Sequence, residues 1–284
     1  MTWLVGAAAW VVALAALPAP LSARISLGVP LVLVPLLMGA GRPAWATPMR
    51  PLLVLIAALP LVIAFWLPVG TLAAVAALPW MALTAAGAAA AIWHGVPLIR
   101  HLFHPRNAEL LGRHVALGFL AVGATFLVAD RLGLRPLGFS PTIVLLTAAH
   151  FGFAGFGLLW LACDEARRRP GVRAAVAGIV LGMPVTALAF ILASDQLNAI
   201  GALIVGAAGI TVGIALVRRG IATRRLATAV AGAALVIGPA MGVAWSFSLL
   251  LKFSFIDLDA MVRTHGVLNA AGVLVAGYAA WNDR

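Results

Sequence analysis

Charge is scarce in this chain: 10% of its 284 residues are Asp, Glu, Lys or Arg, while 64% are hydrophobic and the mean hydropathy is +1.10. A water-facing domain carries about 25% charged residues, so too little polar material is present to coat a globule of this size. Cysteine is scarcer still. The lone Cys163 excludes an intramolecular disulfide and any cysteine-based metal cluster, and its expected role is a small filler near a helix end. Acidic residues number 8 against 19 Lys and Arg, a net charge of +11. In lipid, basic loops fix topology and meet anionic headgroups, so the bilayer is the expected partner and nucleic acid is not. No Walker loop, dinucleotide fingerprint or GxSxG elbow occurs. Nor is there an acidic cluster of the DDxxD kind that holds magnesium for prenyl diphosphates. ATP-driven transport and diphosphate-dependent prenyl transfer are therefore not expected, and no cofactor or metal is called for.

What the chain does have is long apolar runs. Only helices and closed barrels satisfy every backbone N–H and C=O inside lipid. Barrel strands alternate polar and apolar residues, whereas the run from Leu52 to Leu98 holds no charged residue. The expected fold class is therefore all-α: a polytopic transmembrane bundle and a single integral membrane domain over residues 1–284. Runs of about 20 apolar residues predict ten spans near 2–20, 25–40, 52–68, 71–98, 114–130, 141–161, 173–193, 198–217, 226–251 and 264–281. The second is short and reads as either crossing or re-entrant; Pro79 should kink the fourth. Leu21-Ser22-Ala23 resembles a signal cleavage site, but no Lys or Arg precedes the apolar stretch, so a retained first helix is expected.

Ten spans put Arg42, Arg50, Arg100, Arg106, Arg113, Arg167, Arg168, Arg169, Arg173, Arg218, Arg219, Arg224, Arg225 and Arg284 on one side, 14 of the 19 cations. Arg24, Arg131, Arg135, Lys252 and Arg263 fall on the other. The positive-inside rule makes the richer side cytoplasmic, with both termini inside; the expected location is the bacterial inner membrane. Glu109, Asp164, Glu165 and Asp283 lie among cytoplasmic arginines and read as local charge balance. Gly178/Gly182, Gly209/Gly213 and Gly238/Gly242 have the small-xxx-small spacing that lets helices approach closely, here within the bundle.

Ionisable residues inside lipid are functional candidates by default. His150 sits about nine residues into the sixth span, with Thr147, Ala154 and Gly157 on its helix face. His265 and Asn269, four apart, share a face of the last helix, where Thr264 is the expected N-cap. Asp195 and Asn198 fall at the turn between spans seven and eight, and Asp257 and Asp259 just before the last span. Each candidate reads either as a structural polar group or as part of one outward-opening polar cavity around His150 and His265, walled by residues such as Trp245. His94, His101, His104 and His114 cluster near the fourth loop. His101 and His104 have a chelating spacing, but with Glu109 as the one carboxylate nearby, interfacial packing with Arg100 and Arg106 is the favoured reading.

The stretches Thr147-Ala148-Ala149-His150-Phe151-Gly152-Phe153-Ala154-Gly155-Phe156 and Arg263-Thr264-His265-Gly266-Val267-Leu268-Asn269-Ala270-Ala271-Gly272 resemble signature segments of the YndJ-like membrane proteins. The family pattern reads closer to His-Phe-His-Phe in the first, with Gly152 here in place of the second histidine. The resemblance covers the latter half of the chain, the first hundred residues matching in hydropathy. It implies a multi-pass membrane protein, sometimes encoded beside biosynthetic genes, and supplies no activity.

Three functions fit these residues. One is a membrane-embedded enzyme, a cyclase or isomerase, doing acid–base chemistry on a lipophilic small molecule. There His150 would be acid or base and His265, polarised by Asn269 or a nearby Asp, its partner. Another is a small-solute or proton-coupled transporter using the same residues as a relay. The third is a structural or accessory membrane protein. Short loops argue against a scaffold and no internal repeat points to a transporter, so the enzyme is favoured.

Overall fold

The computed structural model describes residues 2–99, 105–253 and 255–282. Among them no strand occurs, and ten helices follow one another. They are α1 (Thr2–Ala16), α2 (Leu21–Gly41), α3 (Pro51–Trp66), α4 (Thr71–Ile99), α5 (Pro105–Leu132), α6 (Pro141–Arg168), α7 (Arg173–Ile191), α8 (Asp195–Ala222), α9 (Leu226–Leu250) and α10 (258–282). Seven helices, α2 and α4 to α9, are long and apolar enough to cross a membrane. Apolar side chains also face outward, with Trp93 81% and Leu72 75% exposed. A surface of that kind is at home in lipid rather than water.

Helix α2, expected to be short, runs 21 residues, and almost all of it is buried. Helix α3 is shorter than expected, at 16 residues. Helices α5, α6, α8 and α10 outrun the expected apolar spans by several residues at one or both ends, because their polar ends continue the backbone ladder past the apolar run. Pro79 lies inside α4, and so does Pro97.

The chain divides into two compact units. The first comprises Met1–His101, His114–Gly157 and Ala280–Arg284. There α1 lies on α2, where Gly6 meets the Leu31 carbonyl so closely that a Cβ would overlap it. Around that contact α2 opens into a π-helical stretch, Val29–Leu33. Pro30 and Pro35 lack the N–H groups that would continue the ladder. Arg24 donates from Nη1 to Leu14 O (3.0 Å), a carbonyl that the end of α1 leaves open, and from Nε to Ala19 O (2.7 Å) in the connection that follows.

The second unit comprises Leu102–Arg113 and Leu158–Ala279. Its centre is the antiparallel succession α7, α8, α9. All three glycine pairs singled out by spacing lie against a neighbouring helix. Gly178 and Gly182 meet Ala208 and Ile204 of α8, and Gly209 and Gly213 meet Pro239 and the Gly232 carbonyl of α9. Gly238 and Gly242 meet Asn269 and His265 of α10.

Candidate functional site

The polar group around His265 is built by α9 and α10. The N-cap of α10 lies seven residues ahead of the expected one. Asp257 occupies the N-cap, its carboxylate accepting from Ala260 N at 2.7 Å. This corrects the expectation that Thr264 caps the helix. Thr264 instead lies one turn inside and donates to Ala260 O at 2.7 Å. The ladder then widens into a π turn, Val262–Gly266, of the sort that recurs at functional sites.

The π turn carries the His265 ring to α9, where Nδ1 lies 2.7 Å from Gly238 O. A carbonyl only accepts, so Nδ1 carries the hydrogen and donates it. That fixes the neutral tautomer and leaves Nε2 with its lone pair. Asn269 Nδ2 donates to His265 O at 2.8 Å and lies 3.4 Å from Nε2. Its 3.0 Å approach to Nδ1 is proximity rather than a bond, since both nitrogens are donors. Two residues of α9 must be glycine for this to fit: Cβ atoms at 238 and 242 would stand 2.9 Å from the Asn269 amide and 2.7 Å from His265 Cε1. On the same stripe of α9, one turn past Gly242, the buried Trp245 Nε1 has no acceptor among the described residues.

The acidic candidates have partners of their own. Asp195, in the first turn of α8, accepts from Lys252 Nζ at 2.5 Å on an exposed surface. Asp259 pairs with Arg263 four residues on, and Asp257 is the cap already described. Asn198 donates its backbone N–H to Ser194 O.

His150 belongs to the first unit. It closes the regular part of α6, and an eight-residue π-helical stretch, Phe151–Leu158, starts at the next position. Helix α5 comes close here: a Cβ on Gly123 would lie 3.0 Å from Ala148 O, and Phe119 packs on Phe151 at 5.6 Å. Thr147 spends its hydroxyl on Ile143 O, 2.8 Å away. Gly152 receives Val29 of α2, whose Cγ2 would be 2.7 Å from a Cβ there, so a larger residue at 152 would have to displace Val29.

Of the histidines near the fourth loop, His101 and His104 lie outside the described residues, as does Arg100. His114 is buried and stacks on Trp45 at 4.0 Å, and His94 lies 6.3 Å from the same indole. Among the described residues no cluster of three or more His, Cys, Asp or Glu stands ready to hold a metal.

Sequence reasoning underweighted a buried ionic network in the second unit. Asp164 pairs with Arg113, which also lies 4.8 Å over the Trp160 ring, and Arg167 approaches the same carboxylate at 3.6 Å. Glu165 accepts from Arg219 Nη1 at 2.5 Å, and Glu109 from Arg173 Nε at 3.1 Å. Glu109, Arg113, Asp164 and Glu165 are all buried. The reading as local charge balance finds the right partners in kind, arginines, and Arg167 is a local one, but the other three, Arg113, Arg219 and Arg173, stand 51, 54 and 64 residues away from their carboxylates. Asp283 lies outside the described residues.

The family model for YndJ-like proteins matches residues 23–273. The chain belongs to the YndJ-like protein family. The match includes both segments around His150 and His265 and most of the first hundred residues, so the YndJ-like pattern reaches further toward the N-terminus than the two signature stretches alone. No curated protein and no solved structure matches the chain.

Proposed function

We propose that this YndJ-like chain is a membrane-embedded acid–base enzyme of the cyclase or isomerase type, acting on a lipophilic small molecule with His265 as its base. The observation that carries this reading is the Nδ1–H bond to Gly238 O. A ring anchored through Nδ1 presents Nε2 as a proton acceptor in a fixed orientation, the arrangement general-base catalysis uses. The Trp245 indole N–H, with no acceptor among the described residues, supplies a donor on the same stripe of α9 for a substrate oxygen. Asn269 holds the backbone of the π turn. His150 is a second candidate, supported by the long π-helical stretch that begins beside it.

The topology belongs to the same proposal: ten crossings, both termini cytoplasmic, in the bacterial inner membrane. It is supported by the division of Arg and Lys along the sequence and by ten helices in the expected positions.

The test is comparative metabolite profiling of cells carrying wild type, His265→Ala, His265→Gln or His150→Ala, with insertion checked by membrane fractionation. A metabolite that changes in the stably inserted His265 variants supports the enzyme. Identical profiles across all strains would sink it. Accumulation of one unmodified solute on one side of the membrane would favour the transporter.

A further inference from the structure

We propose that the lipid-facing furrow between α8 and α9 holds one anionic phospholipid, its acyl chain along the apolar wall and its phosphate on Arg218. The furrow, about 360 Å³, is lined by Ile214, Val217, Arg218, Ala233, Val236 and Ile237, a volume within the range of about 300–1,000 Å³ that ligand sites occupy. It follows from how the two helices meet. A Cβ on Gly232 would lie 2.6 Å from Gly213 O, so the backbones almost touch. The larger side chains on either flank then splay outward and leave a valley floored by Ala233.

This valley opens to the lipid side, since Ile214 is 41% and Ile237 51% exposed. Its polar end is marked by Arg218, one turn before α8 stops at Ala222. Helix α9 starts at Leu226, and at 1.5 Å per residue Ile237 lies about 16 Å deeper. The lining thus runs from headgroup depth into the hydrocarbon, the profile of a lipid with its charge at one end.

Charge complementarity selects the occupant. Arg218 is exposed and makes no ion pair among the described residues, while its neighbour Arg219 is committed to Glu165. The three buried carboxylates of this unit, Glu109, Asp164 and Glu165, already face arginines, so Arg218 is left for an external anion. A long Arg side chain reaches headgroup depth by extending along the apolar wall. This inference is independent of the acid–base reading and uses no activity measurement.

The experiment is native mass spectrometry of the full chain in detergent, after incubation with equal amounts of phosphatidylglycerol and phosphatidylcholine of matched chains. Wild type should retain phosphatidylglycerol in preference. Since one cation beside an anionic surface is worth about a fivefold change in binding, Arg218→Gln should remove roughly that preference. Ala233→Phe, filling an exposed floor, should lower retention of both lipids. Arg224→Gln, in the turn beyond the furrow, is the control and should keep the preference. The proposal is overturned if Arg218→Gln retains the preference, or if Arg224→Gln loses it equally. It is also overturned if Ala233→Phe abolishes a dimer while leaving lipid retention intact, since the occupant would then be a second copy of the chain.

Discussion

His265 Nδ1 stands 2.7 Å from Gly238 O, and the ring's Cε1 lies where a Cβ on Gly242 would come within 2.7 Å. One helix thus supplies both the acceptor that fixes the tautomer and the empty space that admits the imidazole. Gly242→Ala should push the ring off its carbonyl. The expected cost is about 1–3 kcal/mol, as for other overpacked sites, read as a lower thermal transition of the detergent-solubilised protein, together with loss of whatever product depends on His265. Gly118→Ala is the contrast. A Cβ there meets nothing within 4 Å, so helix propensity alone should give a gain of up to about 1 kcal/mol.

The Glu165–Arg219 pair is buried on both sides, with side chains 2% and 11% exposed. Removing one member strands the other charge, so Glu165→Gln or Arg219→Gln alone should cost about 3–5 kcal/mol. The double variant Glu165→Met/Arg219→Met should cost less than either, because neither charge is then buried without a partner. The Asp195–Lys252 pair is different: at 38% and 77% exposed, water screens it, and Lys252→Ala should change stability by less than about 1 kcal/mol. Thermal melts of the four variants in one detergent check the ordering. Equal losses at the buried and exposed pairs would contradict it.

Three helices end on a residue in the left-handed region without being glycine: Ala193 (φ 47), Arg224 (φ 55) and Lys252 (φ 60). Each is followed by the closing bond of that motif, such as Ser194 N to Ala189 O at 2.9 Å. A side chain in this conformation costs about 1–2 kcal/mol that glycine avoids. Ala193→Gly, touching neither ion pair nor candidate site, should therefore raise the thermal transition, with a gain of about 1 kcal/mol.

Helix positions were legible because lipid demands unbroken apolar runs, and Pro, Gly and Arg clusters punctuate them. Helix ends were less so. The start of α5, from Pro105, is polar, and nothing apolar marks it as helical although its backbone continues the ladder. His265 with Asn269 was readable from a spacing of four. The Gly238 carbonyl that orients the ring was not, since it lies 27 residues away and backbone acceptors leave no mark in composition. The π turns were equally silent, because they reflect how the ladder accommodates neighbours. Asp257 has the side chain of a cap as much as Thr264 does; it takes that place because the six residues 258–263, ahead of the expected span, are helical.

The proposed ten crossings include three helices, α1, α3 and α10, beyond the seven that are long and apolar enough to span, and of these α3 has an exposed position on each side to label. At 16 residues it is about 24 Å long, short of the roughly 30 Å hydrocarbon core, and a thinned bilayer or the extended Leu67 after it must make up the difference. If α3 crosses, exposed Ala44 before it and exposed Val69 after it lie on opposite sides; if it does not, they share one. The buried Cys163 can be replaced by Ala to give a cysteine-free background, since Sγ makes no hydrogen bond there among the described residues. In that background Val69→Cys and Leu137→Cys should react with a membrane-impermeant maleimide added to intact spheroplasts. Ala44→Cys and Gly171→Cys should react only after the membrane is opened. Leu137 and Gly171 flank α6, which is long enough to cross at 28 residues, so that pair calibrates the assay. Labelling of Ala44→Cys and Val69→Cys from the same side would remove α3 as a span, and with it the even count that puts both termini in the cytoplasm.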